Sequence, residues 1–236
     1  MVASRAASAR RGICAALICA ASYLGPSVAS DWCADEAMIV FDGSGSMAEM
    51  GFNKIDEPRI FEARRAVADA LPEIARNRRI GLLVYGPNGP DGCTGIDLRF
   101  APIPNAASRV VGAVNALQPA GETPLTEAVK EAVTVLEQST GGGTVVLVTD
   151  GKETCGSNPC QLAAELSRSA FTVHVIGFKV RGDYFAWSSD DENEYDNAET
   201  VSRCLADRTG GLYIGAENVD ELIDAFHQTL GCRLLF

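Results

Sequence analysis

The sequence is poor in basic residues and contains almost no histidine. Its 236 residues include 20 Lys and Arg against 31 Asp and Glu, which gives a net charge of −11, and only two His. Proteins that bind nucleic acid need clustered basic side chains to contact phosphates, so this charge argues against a nucleic-acid partner. A zinc site would need His and Cys clustered more tightly than His174, His227 and the cysteines are, so we expect none.

Long hydrophobic runs and flexible linkers are also missing beyond the N-terminus. No apolar run of 18 residues follows the first 30 residues, so we expect no membrane span in the mature chain. No stretch rich in Pro, Gly and Ser divides the remainder, and no internal repeat is visible. With 47% hydrophobic and 22% charged residues, the chain has the composition of a globular protein. We predict a single domain over residues 31–236.

The first 30 residues have the pattern of a signal peptide. Three arginines and no acidic residue accompany an apolar stretch, Gly12–Leu24, and small residues follow it. Cleavage after Ala29 or after Ser30 fits equally well. Arg10-Arg11 raises the alternative of a twin-arginine signal, but its neighbours match that signal poorly, so a Sec-type signal is favoured. We therefore predict residues 1–30 as a signal peptide and a periplasmic or secreted protein.

Removal of the signal peptide changes both the charge and the cysteine count. The mature chain keeps 17 basic and 31 acidic residues, a net charge of −14. An even number of cysteines in an exported protein indicates disulfides, with reduced core thiols as the alternative. The six remaining cysteines are Cys33, Cys93, Cys155, Cys160, Cys204 and Cys232.

Apolar runs alternate with amphipathic stretches along the mature chain. Continuous apolar runs are typical of strands in a parallel sheet that is covered on both faces, and the alternation predicts a doubly wound α/β fold. The predicted strands are Ala37–Phe41, Ile80–Tyr85, Thr144–Thr149, Phe171–Phe178 and Leu212–Ile214, with Ile96–Ile103 forming a hairpin with the second run. The predicted helices are Arg59–Ala75, Ala106–Leu117, Leu125–Gln138, Pro159–Arg168, Ala198–Arg208 and Val219–Leu230. The acidic stretch Ser188–Asn197 is interpreted as a solvated loop.

Oxygen-bearing side chains follow the ends of two predicted strands. Asp42-Gly43-Ser44-Gly45-Ser46 follows the first predicted strand directly. Asp150 follows the predicted strand Thr144–Thr149. Thr123 stands between them, in a loop before a predicted helix. The carboxyl ends of strands are where ligands bind in such folds. A set of two Asp, two Ser and one Thr suits a hard divalent cation, Mg²⁺ above all, with Mn²⁺ and Ca²⁺ as alternatives.

These residues resemble the metal-ion-dependent adhesion site of the von Willebrand factor A (vWA) family. All three parts of the family's motif stand in order here: Asp42-x-Ser44-x-Ser46, Thr123 and Asp150. The resemblance covers roughly residues 37–230. It implies a mostly parallel sheet with one antiparallel edge strand and helices on both faces.

The resemblance also implies a role for each residue of the motif. Ser44, Ser46 and, once ligand is bound, Thr123 would be direct ligands of the ion, while Asp42 and Asp150 would act mainly through water. Because hydroxyls are neutral, the ion would keep positive charge for a carboxylate from an Asp or Glu of a partner protein. We therefore expect metal and partner to bind cooperatively.

The segment VLVTDGKETCGSNPC, Val146–Cys160, is similar to that of bacterial secreted or periplasmic vWA proteins. In that fold Cys33 and Cys232 would both lie at the edge of the sheet opposite the metal, so they are expected to pair. The other four cysteines would lie near the metal. Cys93–Cys155 with Cys160–Cys204 is the favoured pairing, and Cys155–Cys160 with Cys93–Cys204 is the alternative. His174 is read as a strand residue rather than a catalytic base.

The sequence favours a binding module over an enzyme. A P-loop is missing, since Gly151-Lys152 is followed by Glu153 and has no Gly at the required spacing before it. No third Gly completes a dinucleotide motif after the first strand. We therefore predict an exported, non-enzymatic vWA domain that binds a protein through Mg²⁺. A structural vWA scaffold without metal-dependent ligand, and a metal-assisted hydrolase, are the alternatives.

Overall fold

The computed structural model describes residues 36–50, 57–87, 91–151, 153–180 and 202–232. They contain a six-stranded sheet of order β3-β2-β1-β4-β5-β6, in which β3 alone is antiparallel to its neighbour. The expected doubly wound, mostly parallel fold is thus confirmed. The strands are β1 (Ala37–Asp42), β2 (Ile80–Tyr85), β3 (Ile96–Ile103), β4 (Gly143–Thr149), β5 (Phe171–Phe178) and β6 (Tyr213–Ala216).

The helices begin and end within two residues of the positions predicted from sequence, wherever the structure describes both ends. The largest shifts are at two helix ends: α1 ends at Asn77 rather than Ala75, and α4 ends at Leu166 rather than Arg168. The predicted helix Ala198–Arg208 begins outside the described residues, as does the whole acidic stretch Ser188–Asn197. The helices are α1 (Arg59–Asn77), α2 (Ala107–Ala116), α3 (Leu125–Ser139), α4 (Pro159–Leu166), α5 (202–209) and α6 (Val219–Leu230), with a short 3-10 helix at Gly45–Ala48.

A hydrophobic core covers each face of the sheet. Side chains alternate along β1, so that Ile39 and Phe41 pack with α1, α2 and α6, whereas Met38 and Val40 pack with α3, α4 and α5. All six residues of β1 and of β2 are buried. Burial on both faces explains why these strands are continuous apolar runs rather than alternating patterns.

The chain reverses its direction of winding between β1 and β4. Strand β1 pairs in parallel with β2 on one side and with β4 on the other. At such a switch point the loops leave in opposite directions and open a crevice at the carboxyl ends of the strands. Asp42 closes β1 and Asp150 follows β4, so both carboxylates lie at this crevice.

Two disulfides join loops and helices on the described part of the chain. They are Cys93–Cys155 and Cys160–Cys204, so the favoured pairing is confirmed and the alternative pairing is wrong. The third predicted pair involves Cys33, which lies outside the described residues, as does the predicted signal peptide at 1–30. In the described segments, no helix combines the length and apolar character needed to cross a bilayer.

Candidate metal centre at the switch point

The turn after β1 folds tightly against the end of β2. Gly43 donates its backbone N–H to the Tyr85 carbonyl at 2.8 Å. A Cβ at Gly43 would lie 3.0 Å from both the Tyr85 carbonyl oxygen and Pro87 Cδ, so a side chain there would push the two loops apart. The glycine thus allows Ser44 and Ser46 to follow directly over the strand ends.

Asp42 has both carboxylate oxygens bonded to protein donors. Its Oδ1 accepts the Ser44 backbone N–H at 2.8 Å. Its Oδ2 accepts the Tyr85 hydroxyl at 2.8 Å and the Thr149 hydroxyl at 2.9 Å. Since Asp42 is completely buried, these three bonds fix its orientation and offset the cost of burying a charge.

A chain of hydrogen bonds links the two serines to the second carboxylate. Ser44 Oγ and Ser46 Oγ are 3.0 Å apart, and Ser46 Oγ donates to Asp150 Oδ1 at 2.6 Å. Asp42, Ser44, Ser46 and Asp150 therefore form one contiguous cluster, although Ser46 and Asp150 are 104 residues apart in sequence.

Thr123 lies on a loop that packs against this turn. Two backbone hydrogen bonds join the loops, from Gly45 N–H to the Gly121 carbonyl at 3.0 Å and from Ala120 N–H to the Gly43 carbonyl at 2.9 Å. Thr123 itself is 5% exposed. The loop that carries the fifth predicted residue is thus bonded to the turn that carries Ser44 and Ser46.

Arg59, the first residue of α1, places a buried guanidinium at the same centre. Its Nη1 donates to the Ser46 carbonyl at 3.0 Å and to Asp150 Oδ2 at 3.3 Å. Asp150 therefore faces Ser46 with one oxygen and the guanidinium with the other. The arginine offsets part of the negative charge and holds the Asp150 carboxylate in one orientation.

The centre nevertheless carries an excess of negative charge. Burial, followed by the charge of Asp42, raises the pKa of Asp150 to about 7. The Ser46 hydrogen bond and the Arg59 charge lower that pKa, but they do not compensate. Burial and the Asp42 charge likewise raise the pKa of Tyr85 well above its usual value, which keeps the phenol protonated as a donor. A cation placed among these oxygens would relieve the repulsion between the carboxylates.

The donor set fits a small, hard divalent ion. Two ligands at adjacent corners of an octahedron with bonds of about 2.1 Å lie about 3.0 Å apart. The Ser44 and Ser46 hydroxyl oxygens have this separation, 3.0 Å. Within the described ranges, no group of three or more His, Cys, Asp and Glu side chains is arranged to hold a metal. Ser44, Ser46 and Thr123 all carry hydroxyls, so a metal held by the predicted residues would be bound in large part by hydroxyls.

Sequence reasoning missed several residues that position the centre. The two carboxylates are contacted by Tyr85, Thr149 and Arg59. These residues come from separate parts of the chain. Apart from the position of Thr149 next to Asp150, no neighbouring residues indicate that they belong to the centre. His174 lies in β5, where its Nδ1 accepts the Leu212 backbone N–H at 2.9 Å. The interpretation of His174 as a strand residue is thus confirmed.

The sheet order defines a doubly wound α/β domain, and comparison with known proteins shows the family. The model of the von Willebrand factor type A domain matches residues 37–220. The chain belongs to this family.

Relatives of the chain occur in bacteria. It is 29% identical over 223 residues to the uncharacterized protein YwmD of Bacillus subtilis (strain 168), covering 88% of this chain and 90% of YwmD. It is 30% identical over 156 residues to the uncharacterized protein YwmC of the same strain, covering 62% of this chain and 67% of YwmC.

Solved structures share the fold at low sequence identity. The pilus adhesin SpaC from Lactobacillus rhamnosus GG, in its open conformation, superposes with a TM-score of 0.61 at 15% identity. The match covers 83% of this chain and 29% of SpaC. This similarity shows the fold.

Proposed function

We propose that the chain is an exported vWA domain that binds a partner protein through a Mg²⁺ ion at the switch point. Ser44 and Ser46 would hold the ion directly, with Thr123 joining when ligand is bound, and Asp42 and Asp150 would orient the hydroxyls and bind water. The observation that carries the proposal is the 3.0 Å spacing of the two serine hydroxyls beside a buried carboxylate whose pKa is raised to about 7.

The hydrogen bonds of the two carboxylates support this division of roles. Asp42 already accepts three protein donors, which leaves it suited to orienting Ser44 rather than to direct contact with an ion. Asp150 accepts the Ser46 hydroxyl and the Arg59 guanidinium. Neutral hydroxyls as direct ligands would leave the ion most of its charge, so that it attracts a further anionic ligand.

A carboxylate of a partner protein is the ligand that this centre favours. The bound ion would be a local positive charge in a chain whose net charge is −11, so an anionic group would be drawn to the ion alone. We expect a small interface centred on one Asp or Glu of the partner. vWA domains commonly bind proteins, and similar folds occur in a pilus adhesin and in a minor pilin.

Export is supported by the disulfides. Disulfides persist in oxidising compartments such as the periplasm and the cell exterior. Cys93–Cys155 and Cys160–Cys204 are compatible with such a location. The proposed signal peptide at residues 1–30 would deliver the chain there.

Thermal unfolding of residues 31–236 with Mg²⁺ and with chelator tests the metal. A ligand present at a hundred times its Kd adds about 2.7 kcal/mol, which corresponds to a rise in Tm of about 5–10 °C for a domain of this size. Ser44→Ala and Asp150→Ala should remain folded and lose this rise. Ser167→Ala is the control, because Ser167 is an exposed residue just after the end of α4. An unchanged Mg²⁺ response in both site variants would refute the assignment.

Capture from envelope and surface extract tests the partner. The wild-type domain in Mg²⁺ is compared with the same domain in chelator and with Thr123→Ala. The proposal predicts a protein that is retained only by wild type in Mg²⁺. Capture that is indifferent to both metal and mutation, or no capture, would support the scaffold alternative.

A further inference from the structure

The loop that carries Thr123 is held on both sides by other loops. On one side, Glu122 donates its backbone N–H to the Gly92 carbonyl at 3.1 Å. On the other side, Thr123 donates its backbone N–H to Thr154 Oγ1 at 2.8 Å, and Thr154 returns its own N–H to the Thr123 carbonyl at 3.2 Å. Both backbone polar groups of Thr123 are therefore bonded to a single residue.

The two flanking loops are covalently joined to each other. Gly92 precedes Cys93, Thr154 precedes Cys155, and these two cysteines form a disulfide. Covalent bonds and hydrogen bonds thus form a closed ring. It runs from Gly92 through the disulfide to Thr154, and it returns to Gly92 through the hydrogen bonds of Thr123 and Glu122. We call residues 92–93 and 153–155 together the Thr123 bracket.

Glu153 extends the bracket to the start of the following helix. Its Oε1 accepts the Cys155 backbone N–H at 2.8 Å, and its Oε2 accepts the Thr126 backbone N–H at 2.9 Å. Thr126 is in the first turn of α3, where backbone N–H groups have no partner within the helix. Glu153 therefore caps α3 from a distant loop and fixes the direction in which the chain leaves Thr123.

We infer that the Thr123 bracket is a positioning device that sets the affinity of the centre for its metal and ligand. The inference rests on the proposed function. Hydrogen bonds to Thr154 and, through Glu122, to Gly92 restrict the backbone of Thr123. Contact with the ion would then require mainly a change of the Thr123 side-chain rotamer. Ordering a loop residue costs backbone entropy, and the bracket orders Thr123 through hydrogen bonds that leave the Thr123 hydroxyl out.

Amide hydrogen exchange in chelator tests the bracket without any metal. Thr154→Val removes the acceptor of the Thr123 N–H and keeps the shape of the side chain. Loss of one hydrogen bond should speed exchange of the Thr123 amide about two- to tenfold. Thr154→Ser should restore the wild-type rate, and Thr134→Val, on the exposed face of α3, should leave it unchanged. Equal exchange rates in wild type and Thr154→Val would overturn the inference.

Calorimetric titration with Mg²⁺ tests the coupling to the centre, at a temperature where circular dichroism shows each variant folded. Thr154→Val should weaken Mg²⁺ binding about two- to tenfold, with Thr154→Ser near wild type. The double variant Cys93→Ser/Cys155→Ser should weaken binding more than the control Cys160→Ser/Cys204→Ser, which opens the other disulfide. A Kd that is the same in all variants would overturn the inference and leave the proposed function standing. A wild-type protein that does not bind Mg²⁺ would overturn both.

Discussion

Asp42 is the residue around which the centre is organised. It is buried, and it accepts hydrogen bonds from Ser44, Tyr85 and Thr149. Tyr85 comes from β2 and Thr149 from β4, so the carboxylate ties together the three strands whose ends form the crevice. A buried carboxylate that loses one of these donors keeps its charge with less compensation.

Tyr85→Phe tests this role with the smallest change of shape. The variant removes one hydroxyl from a fully buried site and should lower the free energy of unfolding by about 1–3 kcal/mol. It should also weaken the Mg²⁺-dependent rise in Tm, because Asp42 is then less firmly oriented. Urea unfolding in chelator measures the first effect and thermal unfolding in Mg²⁺ the second. Wild-type stability in the variant would show that the Tyr85 hydroxyl does not support Asp42.

Asp150 predicts a pH dependence in the metal-free protein. Its pKa is raised from 3.8 to about 7 on folding, so between these values the native state binds more protons than the unfolded state. Stability therefore falls as the pH rises through this window, by at most about 1.4 kcal/mol per pH unit for one group.

The comparison of wild type with Asp150→Asn isolates this contribution. From pH 5 to pH 7 in chelator, the free energy of unfolding of wild type relative to the variant should fall by about 1–3 kcal/mol. Urea unfolding at both pH values measures the difference. A difference that is constant with pH would mean that the Asp150 pKa is not raised.

The sequence alone indicated the candidate metal ligands, but not the residues whose hydrogen bonds hold the two carboxylates in place. Asp42, Ser44 and Ser46 form a short motif and could be predicted as a group. Arg59 and Tyr85 could not, because nothing near them in sequence indicates that α1 and β2 bring them to the two carboxylates.

At the scale of elements, one glycine governs the approach of the Thr123 loop to the loop that follows β2. Gly121 has φ +78°, and a Cβ on it would lie 2.2 Å from the Gly86 carbonyl oxygen. The backbone conformation and the close approach both require glycine. The carbonyl of Gly121 is also the acceptor for Gly45 N–H.

Gly121→Ala should therefore displace the Thr123 loop. We expect a loss of about 1–3 kcal/mol in the free energy of unfolding, from left-handed backbone strain and the clash together. Mg²⁺-dependent stabilisation should fall as well. Gly141→Ala is the matched control, because Gly141 also has a positive φ, +72°, but a Cβ there meets nothing within 4 Å. Equal loss of the Mg²⁺ response in both variants would show that the close approach of Gly121 to Gly86 does not position the Thr123 loop.

The elements themselves were predictable because their signals are local. Apolar runs gave β1, β2, β4 and β5 within a residue or so, and helical periodicity gave α1 and α6. The loop-to-loop contacts were not predictable, because the capping of α3 by Glu153 depends on how the β4–α4 loop crosses the start of another helix.

At the scale of the whole molecule, disulfides join parts of the chain that lie far apart in sequence. Cys93–Cys155 spans 62 residues and Cys160–Cys204 spans 44. Topology allowed two pairings of these four cysteines. The choice between them depends on which loops meet at the rim of the sheet, which composition and periodicity do not encode.

The mature protein should contain no free thiol. Reaction of residues 31–236 with a thiol reagent, under denaturing and non-reducing conditions, should give no product, and after reduction it should give six modified cysteines. Six reactive thiols before reduction would contradict both the disulfides and the proposed export.

Diffraction from crystals of residues 31–236 soaked in Mn²⁺ tests the metal centre without an intermediate step, since anomalous scattering locates the ion itself. We expect a peak within about 2–2.5 Å of both Ser44 Oγ and Ser46 Oγ, and its loss in crystals of Ser44→Ala. An ordered site with no peak between these hydroxyls, or a peak only elsewhere on the molecule, would contradict the metal centre and the binding mechanism derived from it.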